Sequence, residues 1–384
     1  MKNIVLALSL SVLVLLGHQS AHTELIDFKI HQLYQAPRSM SSGGTFSNID
    51  DYNAVFYNPA MLARLKEGQL NFGIQAAGMP DILTLQKEIT DANAATDKEQ
   101  SLNDLLERNY GNHFGIRTAL LSAFWVRPGW GIGIVPVDLS VNTSIHRQGG
   151  PQLNVSAYSD TTIVYGYAKN FLEDTLSVGA SAKAVYRGYV GKDLIALDLI
   201  NNTEFFRPQE AREGMTFDID LGSSYSPDIP DDGFFSFLQY ARPTFSVVGR
   251  NLVDYGFTTN MKLYNQLTSG NPPKLGRVFD VGTKWDLPDL WIFKTRFMFD
   301  VRDMGHRYWT FTKGMHTGFE LDWQVFSWWK GRWAVGLGQG YFSFGLGAQL
   351  SWFRLDASTY AEEVGTTDAK KENRFYMVRL NLDF

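Results

Sequence analysis

Charged side chains recur at alternate positions along several otherwise apolar stretches, and these are the residues with the means to bind something. Lys183 and Arg187 lie on one stretch and Asp218 and Asp220 on another. Lys294, Arg296, Asp300 and Arg302 share a third, Glu320 and Asp322 a fourth, and Arg379 stands on the last. Charges taken out of water are normally paired. The expectation is therefore a braced network inside an enclosed lumen. A ligand path is the other reading, with a basic group meeting a carboxylate headgroup.

Catalytic chemistry finds no such support. The seven histidines are scattered, with no pair at metal-ligand spacing. Cysteine is absent, which excludes a disulfide, a thiolate metal site and a cysteine nucleophile. Gly336-Leu337-Gly338-Gln339-Gly340 has the wrong spacing for a dinucleotide fingerprint and lies in strand context. No Ser/His/acid arrangement stands out. The net charge of -5 is weak and points to no nucleic-acid partner. The sequence thus predicts neither an enzyme nor a bound metal or cofactor.

The elements that carry these charges read as strands. Val137, Leu139, Val141, Thr143 and Ile145 fall on one face, while Asp138, Ser140, Asn142, Ser144 and His146 fall on the other. That is the period of a strand with one apolar and one polar side. It recurs near 69–79, 114–126, 130–146, 155–169, 175–190, 214–226, 243–254, 276–286, 291–303, 313–323, 332–340, 341–352, 353–361 and 374–384. Each run is near the ~10 residues of a tilted transmembrane strand. Nine of the ten tryptophans gather at alternate turns, and only Trp309 falls near the opposite end. Indole rings favour the headgroup level, so this pattern predicts an aromatic girdle. The last strand presents Tyr376, Val378, Leu380, Leu382 and Phe384 on one face.

Before the first strand the chain changes character. Lys2 and the apolar run Ile4–Leu16 predict a signal peptide over 1–21, with cleavage near Ser20 or Ala21. Residues 22–68 show no ladder pattern and predict a compact plug, or hatch. Within it, Asn58 is placed to cap a short helix that Pro59 begins. The connection 80–113 predicts two helices, capped by Asp81 and Ser101, with Leu85, Ile89, Leu102, Leu105 and Leu106 on their buried faces. This pair lies outside the barrel or folds back into its mouth. Pro136 interrupts the third strand, where proline cannot donate to a ladder. It predicts either a bulge or a kink that opens the wall sideways.

The reading is therefore all-β and membrane-embedded. It has about fourteen antiparallel strands closed into a transmembrane β-barrel over 69–384, an N-terminal hatch, and a helical loop after the first strand. Outer-membrane lipid is its expected surroundings.

Several motifs resemble the FadL-like superfamily of outer-membrane barrels. Gly43-Gly44-Thr45-Phe46 followed by Asn58-Pro59-Ala60 looks like the opening of the FadL hatch, although Met61 stands where that family usually has glycine. Gly249-Arg250-Asn251-Leu252, Asp300-Val301-Arg302-Asp303, His316-Thr317-Gly318-Phe319-Glu320, Gly336–Tyr341 and Tyr360–Gly365 look closer to the relatives that include PorV and the TraF-like barrels. The terminal phenylalanine is similar to the closing signature of outer-membrane barrels and implies recognition by the barrel-assembly machinery. The resemblance implies transport of hydrophobic compounds such as long-chain fatty acids, with Asn58, Pro59 and Ala60 as hatch-motif residues and Pro136 as the lateral kink. Its PorV branch implies instead a non-transporting scaffold for a secretion or conjugation complex.

Overall fold

A computed structural model describes residues 28–146, 150–201, 208–230, 232, 236–265, 270–365 and 369–384. The expected signal peptide lies outside them. Fourteen antiparallel strands close into one barrel. They are β1 (Gln69–Gly78), β2 (His113–Arg127), β3 (Trp130–His146), β4 (Gln152–Phe171), β5 (Leu176–Ile195), β6 (Arg212–Tyr225) and β7 (Pro243–Arg250). Then come β8 (Val278–Asp286), β9 (Phe293–Met304), β10 (Met315–Phe326), β11 (Trp329–Gly338), β12 (Tyr341–Leu350), β13 (Phe353–Glu363) and β14 (Glu372–Asp383). The closing seam joins β1 to β14 from Asn71↔Asp383 to Gly78↔Tyr376. Phe384 adds one more rung, exchanging backbone hydrogen bonds with Leu70 at 2.9 Å in both directions.

The distribution of side chains inverts that of a soluble protein. Ile74, Leu120, Ile163, Tyr165, Phe217, Ile219, Leu355 and Val378 are exposed on the outer wall, while Arg117, Arg187 and Arg379 are among the most buried side chains. An apolar exterior around a polar interior is what a lipid-facing barrel requires. No helix among the described residues is long and apolar enough to cross a membrane. At the end where β1 starts, which we call the inner end, rings gather at successive turns. Trp125 meets Trp130 at 5.0 Å, Phe326 stacks on Trp328 at 5.4 Å, and Trp352 stacks on Phe384 at 6.3 Å.

β4 and β5 run to 20 residues each, longer than alternation predicted. Most of their extra length lies at the outer end, at 152–154 and 191–195. Next to it, over 153–157 on β4 and 185–190 on β5, both faces are buried, so burial no longer alternates as it does lower in the two strands. The cover comes from helices. After two short helices in the N-terminal segment, α1 (Pro37–Ser41) and α2 (Ala54–Tyr57), the chain forms α3 (Asp81–Ala94), α4 (Lys98–Arg108) and α5 (Ala196–Asn201). Leu85, Ile89, Leu102, Leu105 and Leu106 pack on Phe114, Ile145, Leu153, Val155 and Leu194, which point outward from the wall. The helical pair therefore clads the outside of the barrel. Its caps differ from expectation. Asp97 caps α4, accepting from Gln100 N, while Ser101 lies within the helix; Asp81 is the first residue of α3, not its cap. β7 stops at Arg250, four residues earlier than predicted, because 251–259 leaves the regular ladder and touches the β6 backbone through Leu252 N on Ile219 O and the bridge Met215↔Thr259.

Candidate functional site

Residues 28–68 fill the lumen, and the fit is set by backbone geometry first. Gly43 and Gly44 take positive φ values of 73° and 79°. Their turn is clasped by four wall side chains. Gly43 N donates to Ser343 Oγ at 2.9 Å, His316 Nδ1 meets Gly43 O at 2.6 Å, and Arg302 donates to Gly44 O at 2.5 Å. Asp300 accepts from Phe46 N at 2.6 Å and Ser47 N at 2.9 Å. The Arg302 guanidinium also lies 3.4 Å from the centre of the Phe46 ring.

The Asn-Pro-Ala triplet forms the second seat. Asn58 caps a 3-10 helix, Pro59–Arg64, by accepting from Ala60 N at 3.1 Å; its amide donates to Ser47 O at 2.7 Å. One side chain thus ties two turns of the hatch together. Asn58→Ala is expected to cost about 1–2 kcal/mol, the value of a lost cap plus a buried carbonyl left without a donor. Denaturant unfolding in detergent checks it, and a change below a few tenths would remove Asn58 from the seat.

Charge pairing joins hatch to wall. Arg38 donates to Glu320 at 3.0 Å, Asp51 at 2.8 Å and Asp50 at 2.9 Å. Arg296 contacts Glu320 at 3.3 Å and Asp322 at 3.0 Å, and Arg332 reaches Asp322 at 2.5 Å. Burial alone would raise the Asp50 carboxyl, but Arg296, Lys284 and Arg38 hold it well below the usual carboxylate range. Nearer the outer end, Lys29 pairs with Glu362 at 2.6 Å. His31 stacks on Tyr158 at 4.1 Å and bonds Asp160 at 3.1 Å, while burial pushes its imidazole down to about 4.

The charged residues named from sequence divide into groups. Arg296, Glu320 and Asp322 meet in the network around Arg38. Lys183 faces Asp218 in register, yet its ammonium goes to Asp220 at 2.7 Å. Asp218 is occupied instead by the N–H groups of Val253 and Asp254. Arg187 pairs with Asp160 at 2.7 Å. Asp300 and Arg302 bind hatch backbone, as above. Arg379 meets neutral partners, among them Tyr34, Gln75, Asn71 and Ser122. Lys294 is exposed at the inner opening and makes no ion pair among the described residues. Sequence reasoning placed Asp138 on the polar face of its strand but left it out of the charge network, and it missed Arg38, Asp50, Asp51, Arg117, Asp160, Arg250 and Asp280. For the wall members the signal was present, since each sits at an inward position of its strand. The hatch members lie outside any repeating pattern.

The wall beside Pro136 is irregular on three consecutive ladders. Between β2 and β3 the rungs run to Leu120↔Val137 and resume at Ala123↔Ile134, with none at Leu121 and Pro136 or at Ser122 and Val135. The β3–β4 register shifts between Val135 and Asp138, and the β1–β2 register shifts between Gly73 and Gln75. Leu121 has a positive φ of 60°, and Leu120 and Leu121 both face outward. Thr161 Oγ1 donates to Pro136 O at 2.5 Å. Pairing resumes on either side, so the wall is closed here. Directly inside lie Phe124, Val126, Val135 and Val164, packed on Tyr34, Tyr52, Phe56, Met61 and Leu62 of the hatch. Below the hatch, at the inner end, opens a vestibule of 1180 Å³ lined by Arg38, Asp50, Arg64, Lys284, Lys294 and Arg354, among others.

No protein-family profile and no curated protein sequence matches the chain. Similar solved structures include CymD, a monoaromatic hydrocarbon channel, at 12% identity and a TM-score of 0.48, over 90% of this chain and 96% of that one. The Ralstonia pickettii toluene transporter TbuX is 12% identical with a TM-score of 0.43, over 91% and 98%. A Pseudomonas aeruginosa FadL homologue is 9% identical with a TM-score of 0.40, over 90% and 97%.

Proposed function

We propose that this protein is a FadL-like outer-membrane channel that passes hydrophobic compounds, long-chain fatty acids among them, beside its plug and out through the wall near Pro136. The observation that carries the proposal is a coincidence of position. Ladder faults line up across β1–β4, and the apolar packing between hatch and wall lies directly behind them. Missing rungs cost little to part, and an apolar surface behind them offers a path without desolvating charge.

A clean test is available because the chain has no native cysteine. Ser122→Cys with Val135→Cys places two inward thiols on facing stretches of β2 and β3 where the rungs are absent, and oxidation joins the two strands there. Uptake of a radiolabelled long-chain fatty acid is expected to fall about tenfold on oxidation and to return with reductant. Unchanged uptake in the oxidised protein would sink the lateral route. A deletion strain that accumulates fatty acids and small hydrocarbons as fast as its parent would sink the channel reading altogether.

One observation favours a scaffold instead: ion pairs bind the hatch to the wall at Lys29–Glu362, Arg38–Glu320 and Asp50–Lys284. On that reading a stoichiometric protein partner co-purifies with the intact barrel through its outer loops, and removing the loops loses it.

A further inference from the structure

The hatch is held by two kinds of contact, and they fall on different strands of the wall. On β5 and on β10–β11 the wall meets hatch backbone through inward glycines. A Cβ added at Gly179 would lie 2.6 Å from Ala60 N and from the Pro59 carbonyl carbon. At Gly318 it would lie 2.4 Å from Ser42 O, at Gly336 2.3 Å from Gly43 N, and at Gly338 2.3 Å from Gly43 O. On β12 a Cβ at Gly345 would lie 2.4 Å from Ser41 Cβ. Backbone packed on backbone has nothing flexible to yield.

On β2–β4 the hatch meets bulky side chains instead. Phe124 receives three hatch rings: Tyr52 at 5.0 Å, Tyr34 at 5.4 Å and Phe56 at 5.8 Å. Even the glycines on this arc face side-chain tips. Gly133 lies under the Phe56 ring, and Gly166 under a Leu62 methyl. Hatch backbone does bond the wall here, as Tyr34 N does to Asp138 at 3.0 Å, but no glycine bed locks it. Side chains change rotamer far more readily than a seated backbone moves.

We infer that the hatch stays seated as a fixed floor during passage, and that Phe124 determines which cargo passes, because its ring closes the slot between that floor and β2–β4. The inference rests on the channel reading above, and it adds what moves and what does not. Phe124 is 1% exposed, stands two residues from Ser122 at the missing rungs, and is the wall ring on which Tyr34, Tyr52 and Phe56 converge.

Two sets of variants test it. Phe124→Ala and the milder Phe124→Leu are expected to raise uptake of a branched or polycyclic hydrocarbon by about tenfold relative to a linear fatty acid; Phe124→Trp is expected to reverse that preference. Asn48→Cys with Ser246→Cys then locks the floor, since their side chains meet at 2.7 Å. The oxidised protein is expected to transport as fast as the reduced one. Loss of uptake on oxidation, restored by reductant, would mean that the hatch must move and would overturn the inference while leaving the channel reading intact. An unchanged cargo preference in folded Phe124→Leu and Phe124→Trp barrels would overturn it as well. Absence of uptake in the unmodified protein would remove the channel reading first, and the inference with it.

Discussion

Asp138→Ala should lower the unfolding free energy by about 3–5 kcal/mol, because it strips a buried guanidinium of its counter-charge. Arg117 is 2% exposed and Asp138 is 4% exposed. Arg117 donates to Asp138 through Nε at 3.2 Å and Nη2 at 2.6 Å; its remaining hydrogen bond goes to Gln32 O at 2.7 Å. The same carboxylate accepts Tyr34 N at 3.0 Å. Alanine therefore removes the charge partner and orphans a hatch N–H in one step. The two losses share a partner and do not add in full. Arg117→Met together with Asp138→Asn removes both charges and leaves an amide oxygen for Tyr34 N. That double variant should recover most of the loss, since replacing a whole buried pair is often near neutral. Denaturant unfolding in detergent, followed by tryptophan fluorescence, measures both. A loss under about 1 kcal/mol in Asp138→Ala would mean that water relieves the guanidinium and that the pair does not hold the hatch.

The second large effect belongs to Gly43→Ala. The residue has a φ of 73°, and an added Cβ would lie 2.2 Å from Thr317 O and 2.7 Å from Leu337 O. The left-handed backbone costs an L side chain about 1–2 kcal/mol, and overpacking against fixed atoms costs about 1–3 kcal/mol more. Gly111→Ala is the control, with a φ of 77° and nothing within 4 Å. It should show the backbone cost alone. Unfolding measures the difference, and limited trypsin digestion at Arg38 reports whether the hatch has left its seat. Equal losses in the two variants would mean that the wall gives way at Gly43, against the glycine bed described above.

Much of the barrel was legible because a strand's period is written locally. Each two-residue alternation names its own inward and outward face without reference to any other strand. It failed where that logic fails. It stopped short of the outer end of β5, where Val185–Val190 is buried on both faces and carries no alternation, so 191–195 beyond it went unread. The hatch was legible as a lack of pattern and as the Asn58 cap, which acts over two residues. Its partners were not legible. Alternation says that Asp218 and Lys183 both point inward, but the loop at Val253 claims Asp218 and leaves Lys183 to Asp220. Register and loop path decide such pairs, and neither is local.

The motif residues show the same division. Gly318 and Glu320 stand two apart on β10, and Gly336 and Gly338 two apart on β11, as inward positions of a strand must. Their purpose appears only once Ser42, Gly43 and Arg38 arrive from nearly 300 residues earlier in the chain. By itself the sequence determined a closed, lipid-facing sheet of about fourteen strands with charge turned inward, because the pleat enforces two faces. Tertiary structure alone decided which charge meets which and where the plug is seated. It also decided that Pro136, Leu121 and Phe124 fall side by side, because closing the barrel sets distances that no stretch of sequence contains.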